Sequence, residues 1–127
     1  MENNMSVFVF GSNLAGIHGA GAARFAVENH GAKYGQGIGY QGNSYGIPTK
    51  DKAIRTLPLS AIAKHVDVFI AFAKEHPLLT FQVTQIGCGL AGYQARDIAP
   101  MFVEAPDNCL FDRDWGNILP TKQFWSR

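Results

Sequence analysis

Hydrophobic and polar positions along this chain switch between two periods. Ser6 to Phe10 (SVFVF) is a short β-branched and aromatic run stopped by Gly11, which reads as a buried strand. Gly11 to Gly21 is too rich in glycine for regular structure. From Ala20 to about His30 the spacing turns helical, with Ala22, Phe25, Ala26 and Asn29 on one face and Gly31 as the stop. Gly35 to Thr49 reads as a hairpin that turns at Gly42-Asn43 and returns along Ser44 to Pro48. Leu59, Ile62, Ala63, Val66, Phe69, Ile70 and Ala73 then recur at i, i+3, i+4, i+7. They predict a long amphipathic helix from Pro58 or Ser60 to His76-Pro77.

Thr80 to Ile86 is the next predicted strand, and Gly87 to Tyr93 (GCGLAGY) a second glycine loop. Ala95, Ile98, Ala99 and Phe102 form another helical stripe, where Pro100 fits only in a first turn. Asn108 to Phe111 is a last short strand. The tail 112–127, with Trp115, Phe124 and Trp125, is expected to be irregular but partly docked. Strands alternating with helices predict an α/β domain with a mixed, mostly parallel sheet. A chain of 127 residues, 46% hydrophobic, supports one domain over 1–127 with its core in about 6–111.

Composition narrows the function classes. Eleven Lys and Arg against ten Asp and Glu, with no basic run, argue against a nucleic-acid binder driven by phosphate neutralisation. No apolar run approaches the roughly 18 residues of a membrane span. The polar start, Met1 to Ser6, has no signal-peptide core, and two cysteines, Cys88 and Cys109, suit a reducing compartment. The expectation is a cytoplasmic protein without a membrane partner. His18, His30, His65 and His76 are scattered, and no CxxC, HExxH or carboxylate cluster is present. No metal or cofactor is predicted.

Glycine placement is the feature that points to chemistry. Ten of the 14 glycines lie between Gly11 and Gly46, three lie between Gly87 and Gly92, and none occurs from Ile47 to Ile86. The first and last of these regions each follow an apolar strand and precede a helix. Backbone without Cβ atoms brings several N–H donors close to a phosphate, and a helix N-terminus adds partial positive charge. Two such loops at the carboxyl ends of strands could grip one diphosphate without a basic patch. Tight turns and close helix–strand packing use glycine in the same way, so that reading stays open. A literal GxGxxG at Gly37 to Gly42 precedes a strand-like segment and is set aside. The one at Gly87 to Gly92 precedes a helix, with Asp112 twenty residues beyond. Only 15 residues follow Asp112, too few for the rest of a Rossmann half.

Three segments, in order, resemble the macrodomain family, which binds ADP-ribose and related NAD-derived nucleotides. His18-Gly-Ala-Gly-Ala-Ala-Arg-Phe25 is similar to a loop-to-helix signature of its branch containing the terminal ADP-ribose protein glycohydrolase and antitoxins that strip ADP-ribose from DNA. Ile47-Pro-Thr-Lys50 is similar to that branch's strand ending in Thr-Lys, and Ile86 to Tyr93 to its GCGxxG phosphate loop. The resemblance spans about 7–111 and points to compact bacterial or phage forms. It implies a three-layer α/β/α sandwich with ADP-ribose between the two loops. His18, Gly19, Ala20 and Gly21 would face the distal ribose. Gly87, Cys88, Gly89, Leu90, Ala91, Gly92 and Tyr93 would wrap the diphosphate. Asn13 would contact the distal ribose; a local loop contact is its other role.

Lys50 matches the branch's catalytic lysine, which attacks the anomeric carbon and for that must present a free amine. Lys50-Asp51-Lys52 also reads as a solvated loop. Where the glycohydrolase has an acid–base Asp after GCGL, this chain has Ala91; the DNA-directed antitoxins lack that Asp too. Six residues precede Val7, so the adenine-recognising Asp of many macrodomains has no counterpart. Tyr34, Tyr40, Tyr45 and Tyr93 are then the candidates to stack on the base, at roughly 1–3 kcal/mol each. Cys88 is expected to pack rather than react. Three readings stay open at this level: an ADP-ribosyl glycohydrolase acting on modified protein or DNA, a non-catalytic module that senses or sequesters an NAD-derived nucleotide, and an interaction protein on a degenerate scaffold.

Overall fold

The computed structural model describes residues 6–125, so the polar start 1–5 and the last two tail residues lie outside the described residues. Strand β1 (Ser6–Asn13) is the centre of the molecule. Its alternate side chains Val7 and Val9 point to one face and Phe8 and Phe10 to the other, and all four are buried. A strand covered on both faces needs apolar residues at every position, which SVFVF supplies.

Parallel partners flank β1 on either side. After helix α1 (Gly21–His30) and short strand β2 (Gly39–Gln41), strand β3 (Ser44–Lys50) pairs Gly46 with Phe10. After helix α2 (Leu59–Glu75), strand β4 (Thr80–Val83) pairs Val83 with Val9. Helix α3 (Ala95–Ile98), β5 (Cys109–Phe111) and β6 (Gln123–Phe124) complete a six-stranded sheet of order β2-β3-β1-β4-β5-β6. Only β2 runs antiparallel, to β3. The sheet is therefore mixed and mostly parallel, and all four resolved β1, β3, β4 and β5 strands end on the same edge.

The two faces carry unequal cores. Val7, Val9, Ile47, Phe81 and Phe111 pack against Ile62, Val66, Phe69 and Ala73 of α2 and Ile98 of α3. On the other face the buried apolar partners of Phe8 and Phe10 are small, Ala23 and Ala26 of α1 and Ala32. Small residues let α1 lie close to the sheet. Of the expected face Ala22, Phe25, Ala26 and Asn29, only Ala26 is buried; its inward partner is Ala23. Ala22 and Asn29 are exposed, and half-exposed Phe25 leans on Phe8 from the side, ring centroids 5.4 Å apart. Gly31 ends α1 in the left-handed conformation, φ 74°. Gly42 in the hairpin turn packs directly on it: a Cβ at Gly42 would sit 2.5 Å from the Gly31 carbonyl oxygen.

Several boundaries differ from expectation. Strand β1 runs on through Gly11 to Asn13 instead of stopping at Gly11, because Gly11, Ser12 and Asn13 still pair with Ile47, Pro48 and Lys50 of β3. Strand β4 stops at Val83 rather than Ile86, because the Thr84 N–H and hydroxyl both donate to the Val9 carbonyl (3.2 and 2.7 Å) and the chain turns there. The stripe after the second glycine loop splits into α3 and a 3-10 turn, Ala99–Phe102, with Pro100 in the first turn of the latter. The tail is more ordered than predicted. β6 adds a parallel strand to β5, Trp115 is fully buried, and Trp125 Nε1 donates to the Val83 carbonyl at 2.9 Å. A two-residue strand carries no periodicity for sequence to reveal. Among the described residues no helix is long and apolar enough to cross a membrane.

Candidate functional site

A cleft of about 590 Å³ opens over the carboxyl ends of β1, β3 and β4. That is the edge where ligands sit in open α/β sheets, and the volume is that of a small-molecule site. Asn13, the last residue of β1, and Lys50, the last of β3, are register partners on its floor. The register slips between Ser12 and Asn13, and the Leu14 N–H donates to the Lys50 carbonyl (2.9 Å), which fixes the two strand ends together.

One wall is the start of α1. Gly19, Ala20, Gly21, Ala22 and Ala23 all line the cleft. Ala20 holds the N-cap position with extended backbone (φ −155°, ψ 164°) but has no side chain to cap with, and the first turn has no acidic residue. The first backbone bond of the helix is Arg24 N–H to the Ala20 carbonyl, so the N–H groups of Gly21, Ala22 and Ala23 have no acceptor among the described residues. The opposite wall is the loop Gly87 to Ala91. Within it Cys88 N–H donates to Gln85, Gly92 N–H to Gly89 and Tyr93 N–H to Gly87. The N–H groups of Gly89, Leu90 and Ala91 are left unpaired among the described residues. Two runs of residues with unpaired backbone N–H groups therefore line one cleft, a form suited to an anion with several oxygens.

The second array works without a helix behind it, contrary to expectation. α3 begins only at Ala95, is four residues long, and its Asp97 carboxylate already accepts from the Gln94 N–H at 3.0 Å. Cys88 likewise gains no thiolate character. Burial, and secondarily Asp97, push its thiol up from the ordinary value, so it lines the cleft as a neutral group.

Of the residues singled out by sequence, Asn13, Gly19, Ala20, Gly21, Lys50, Gly87, Cys88, Gly89, Leu90 and Ala91 converge on the cleft. His18, Gly92 and Tyr93 do not line it. His18 is fully buried, edge-on to Phe10 with ring centroids 5.3 Å apart, and its Nε2–H donates to the Gln36 carbonyl at 2.9 Å. It anchors the loop from beneath. Gly92, at φ 89°, turns the second loop back, and the Tyr93 hydroxyl donates to the Leu57 carbonyl at 2.7 Å. Asn13 grips its own loop: its amide oxygen accepts from Ile17 N–H (3.0 Å) and its amide nitrogen donates to the Ile17 carbonyl (2.7 Å). None of the four tyrosines lines the cleft. Tyr45 is buried against Phe69, and Tyr34 donates to the His18 carbonyl.

Sequence reasoning missed Ser12, Ile17, Ile54, Thr84 and Gln85, all of which line the cleft. Thr84 and Gln85 were hidden inside an overlong strand; placing the end of β4 correctly would have put them at its carboxyl edge. Gly37, among the glycines of the hairpin, serves packing over the same edge. Ser12 Oγ donates to the Gly37 carbonyl, and a Cβ at Gly37 would lie 2.0 Å from the Asn13 carbonyl oxygen. Lys50 is the one charged residue lining the cleft, and its ammonium has no ion-pair partner among the described residues. Among those residues no three His, Cys, Asp or Glu side chains are placed to hold a metal ion. Compared with known proteins, the chain matches no family model, no curated protein and no solved structure.

Proposed function

We propose that the chain is a macrodomain-like α/β/α sandwich that binds ADP-ribose, or an ADP-ribosyl group on protein or DNA, in this cleft. The observation that carries the reading is that two runs of unpaired backbone N–H groups, Gly21 to Ala23 and Gly89 to Ala91, line the same cleft as Asn13 and Lys50. A diphosphate between Gly21 to Ala23 and Gly89 to Ala91 would take those donors, and the α1 dipole would favour its charge. The distal ribose would then lie over Lys50. In the hydrolytic form, the Lys50 amine attacks the anomeric carbon and the bond to the modified group breaks, with that group leaving protonated. Water then cleaves the lysine adduct, releases ADP-ribose and restores the amine.

A specific observation favours the non-catalytic form of the same reading. Among the described residues no Asp, Glu or His lines the cleft, and the position where the glycohydrolase carries its Asp is Ala91. No side-chain carboxylate or imidazole is at hand there to move a proton for Lys50. Calorimetric titration with ADP-ribose tests binding, and a ligand at 100 times its Kd adds about 2.7 kcal/mol of stability. Absence of any thermal shift with millimolar ADP-ribose, NAD or ADP would overturn the reading. Incubation with ADP-ribosylated protein and DNA separates the two forms: ADP-ribose release that vanishes in Lys50→Ala establishes hydrolysis, and binding without release establishes the sensing module.

A further inference from the structure

Among the described residues, Ile54 is the one non-glycine residue with positive φ, 64°. For a β-branched side chain this is a sterically disfavoured backbone, and such outliers persist only where the surroundings over-determine them. Here the surroundings do. Lys50 and Thr56 pair as an antiparallel bridge, Asp51 N–H donates to the Arg55 carbonyl (2.8 Å), and Ile54 N–H donates to the Asp51 carbonyl (3.1 Å). The Asp51 carboxylate accepts from the N–H groups of Ala53 and Arg55 (2.8 and 2.9 Å). The turn is then tied to the second glycine loop, where Thr56 Oγ1 donates to the Ala91 carbonyl at 3.0 Å. A glycine or asparagine would suit this backbone better. What isoleucine adds is an apolar side chain lining the cleft close in sequence to Lys50.

Ile54 is not alone there. Ile17 and Leu90 also line the cleft, and all three are well exposed, at 52%, 71% and 40% for Ile17, Leu90 and Ile54. A cleft that held only inorganic phosphate would gain nothing from an apolar rim. A ligand whose phosphates lie on the backbone donors and whose organic part passes this rim would bury it. We propose that Ile54, presented by its strained turn, is a specificity residue that packs on the organic part of the ligand beside Lys50. The cleft thereby selects esterified diphosphates over inorganic pyrophosphate. The inference rests on the ADP-ribose reading and assigns the apolar role that the tyrosines do not fill.

The test uses ADP-ribose and inorganic pyrophosphate as probes, titrated calorimetrically into the wild-type chain, Ile54→Gly and Ile54→Asn, with Tm measured in the absence of ligand. The expected result is tighter wild-type binding of ADP-ribose than of pyrophosphate. Both variants should lose about tenfold in ADP-ribose affinity, the scale of half a buried isoleucine side chain. Their pyrophosphate affinity should stay within about twofold and their Tm should be unchanged or raised, because both residues relieve the positive-φ strain. Equal losses for both probes, no loss for either, or a Tm several degrees lower in both variants would each overturn the role given to Ile54. Wild-type chain that binds pyrophosphate but not ADP-ribose would overturn the ADP-ribose reading itself, and the selectivity with it. Binding of neither probe would overturn the anion cleft and everything built on it.

Discussion

The N-cap of α1 offers a way to set stability against binding. Ala20 already has the extended backbone of a capping residue, and the donors a cap would satisfy, the N–H groups of Ala22 and Ala23, have no acceptor among the described residues and belong to residues that line the cleft. Replacing Ala20 by Asp or Ser supplies the missing acceptor without moving the chain, which stabilises a helix by about 1 kcal/mol (range roughly 0.5–2). Asp adds roughly 0.3–1 kcal/mol through the helix dipole. At about 2.1 cal/mol/K of unfolding entropy per residue, each kcal/mol raises Tm by about 4 °C for a chain of this length. The same side chain would occupy donors assigned to phosphate oxygens. Hydrogen bonds to charged groups contribute about 1.5–3 kcal/mol each, so losing one weakens ADP-ribose roughly tenfold to a hundredfold. Asp should weaken it more than Ser, because its charge also repels the diphosphate. Differential scanning calorimetry and calorimetric titration of Ala20→Ser and Ala20→Asp read the two effects separately. A rise in Tm with undiminished ADP-ribose affinity would refute the assignment of these donors to the ligand; a fall in Tm would refute the uncapped helix end.

Other predictions follow from single contacts. Gly37→Ala forces a Cβ to within 2.0 Å of the Asn13 carbonyl oxygen, between backbone segments with no flexible atom to give way; it should destabilise the fold by at least about 1–3 kcal/mol, read as a fall in denaturation midpoint at unchanged m-value. Asp51 is held below the usual carboxylate range, first by the Arg55 N–H, then by Ala53 and the Arg55 charge. Its support of the Ile54 turn is therefore fully present above the ordinary carboxylate pKa and disappears as pH falls through the depressed one; Asp51→Asn should flatten that acid dependence in an ADP-ribose affinity profile. Burial pushes the Cys109 thiol up to about 12, so alkylation at pH 8 should label Cys88 slowly and Cys109 only on unfolding, with ADP-ribose protecting Cys88; ligand-independent labelling of Cys88 would contradict its place in the cleft.

The elements were legible where a single face dominates. α2 could be read to within a residue because Ile62, Val66, Phe69, Ile70 and Ala73 all pack on one side of the sheet. The first half of β1 was legible because both of its faces are apolar, while its continuation through Gly11 to Asn13 was not; the hairpin was legible because Gly42 supplies positive φ at its turn. The inward face of α1 was read correctly at Ala26 but missed Ala23, because alanine carries too little hydrophobic contrast to mark a face. The site was half legible for a related reason. Glycine runs advertise loops that expose N–H groups, so both walls could be seen in the sequence. The rim could not, because an isoleucine forced to positive φ by contacts with Asp51 and Arg55 looks like any other loop residue. His18 shows the converse, since its place among the glycines suggested the ligand while Phe10 and Gln36 claim its ring.

Three locally unfavourable choices meet at this cleft. An alanine stands where α1 needs a cap, an isoleucine stands where a turn needs glycine, and a lysine faces open space with no anion among the described residues to pair with it. Scattered over the surface, each would be an ordinary imperfection. Gathered within one 590 Å³ cleft, each becomes favourable on adding the same kind of ligand. An anion would cap the helix and balance Lys50, and an organic group beside it would cover Ile54. Departures from local consistency that share one remedy are the signature of a binding site, because natural sequences keep such departures where function needs them. On the proposed reading that remedy is an esterified diphosphate: inorganic phosphate would answer the helix and the lysine and leave the isoleucine bare, and an apolar ligand would do the reverse.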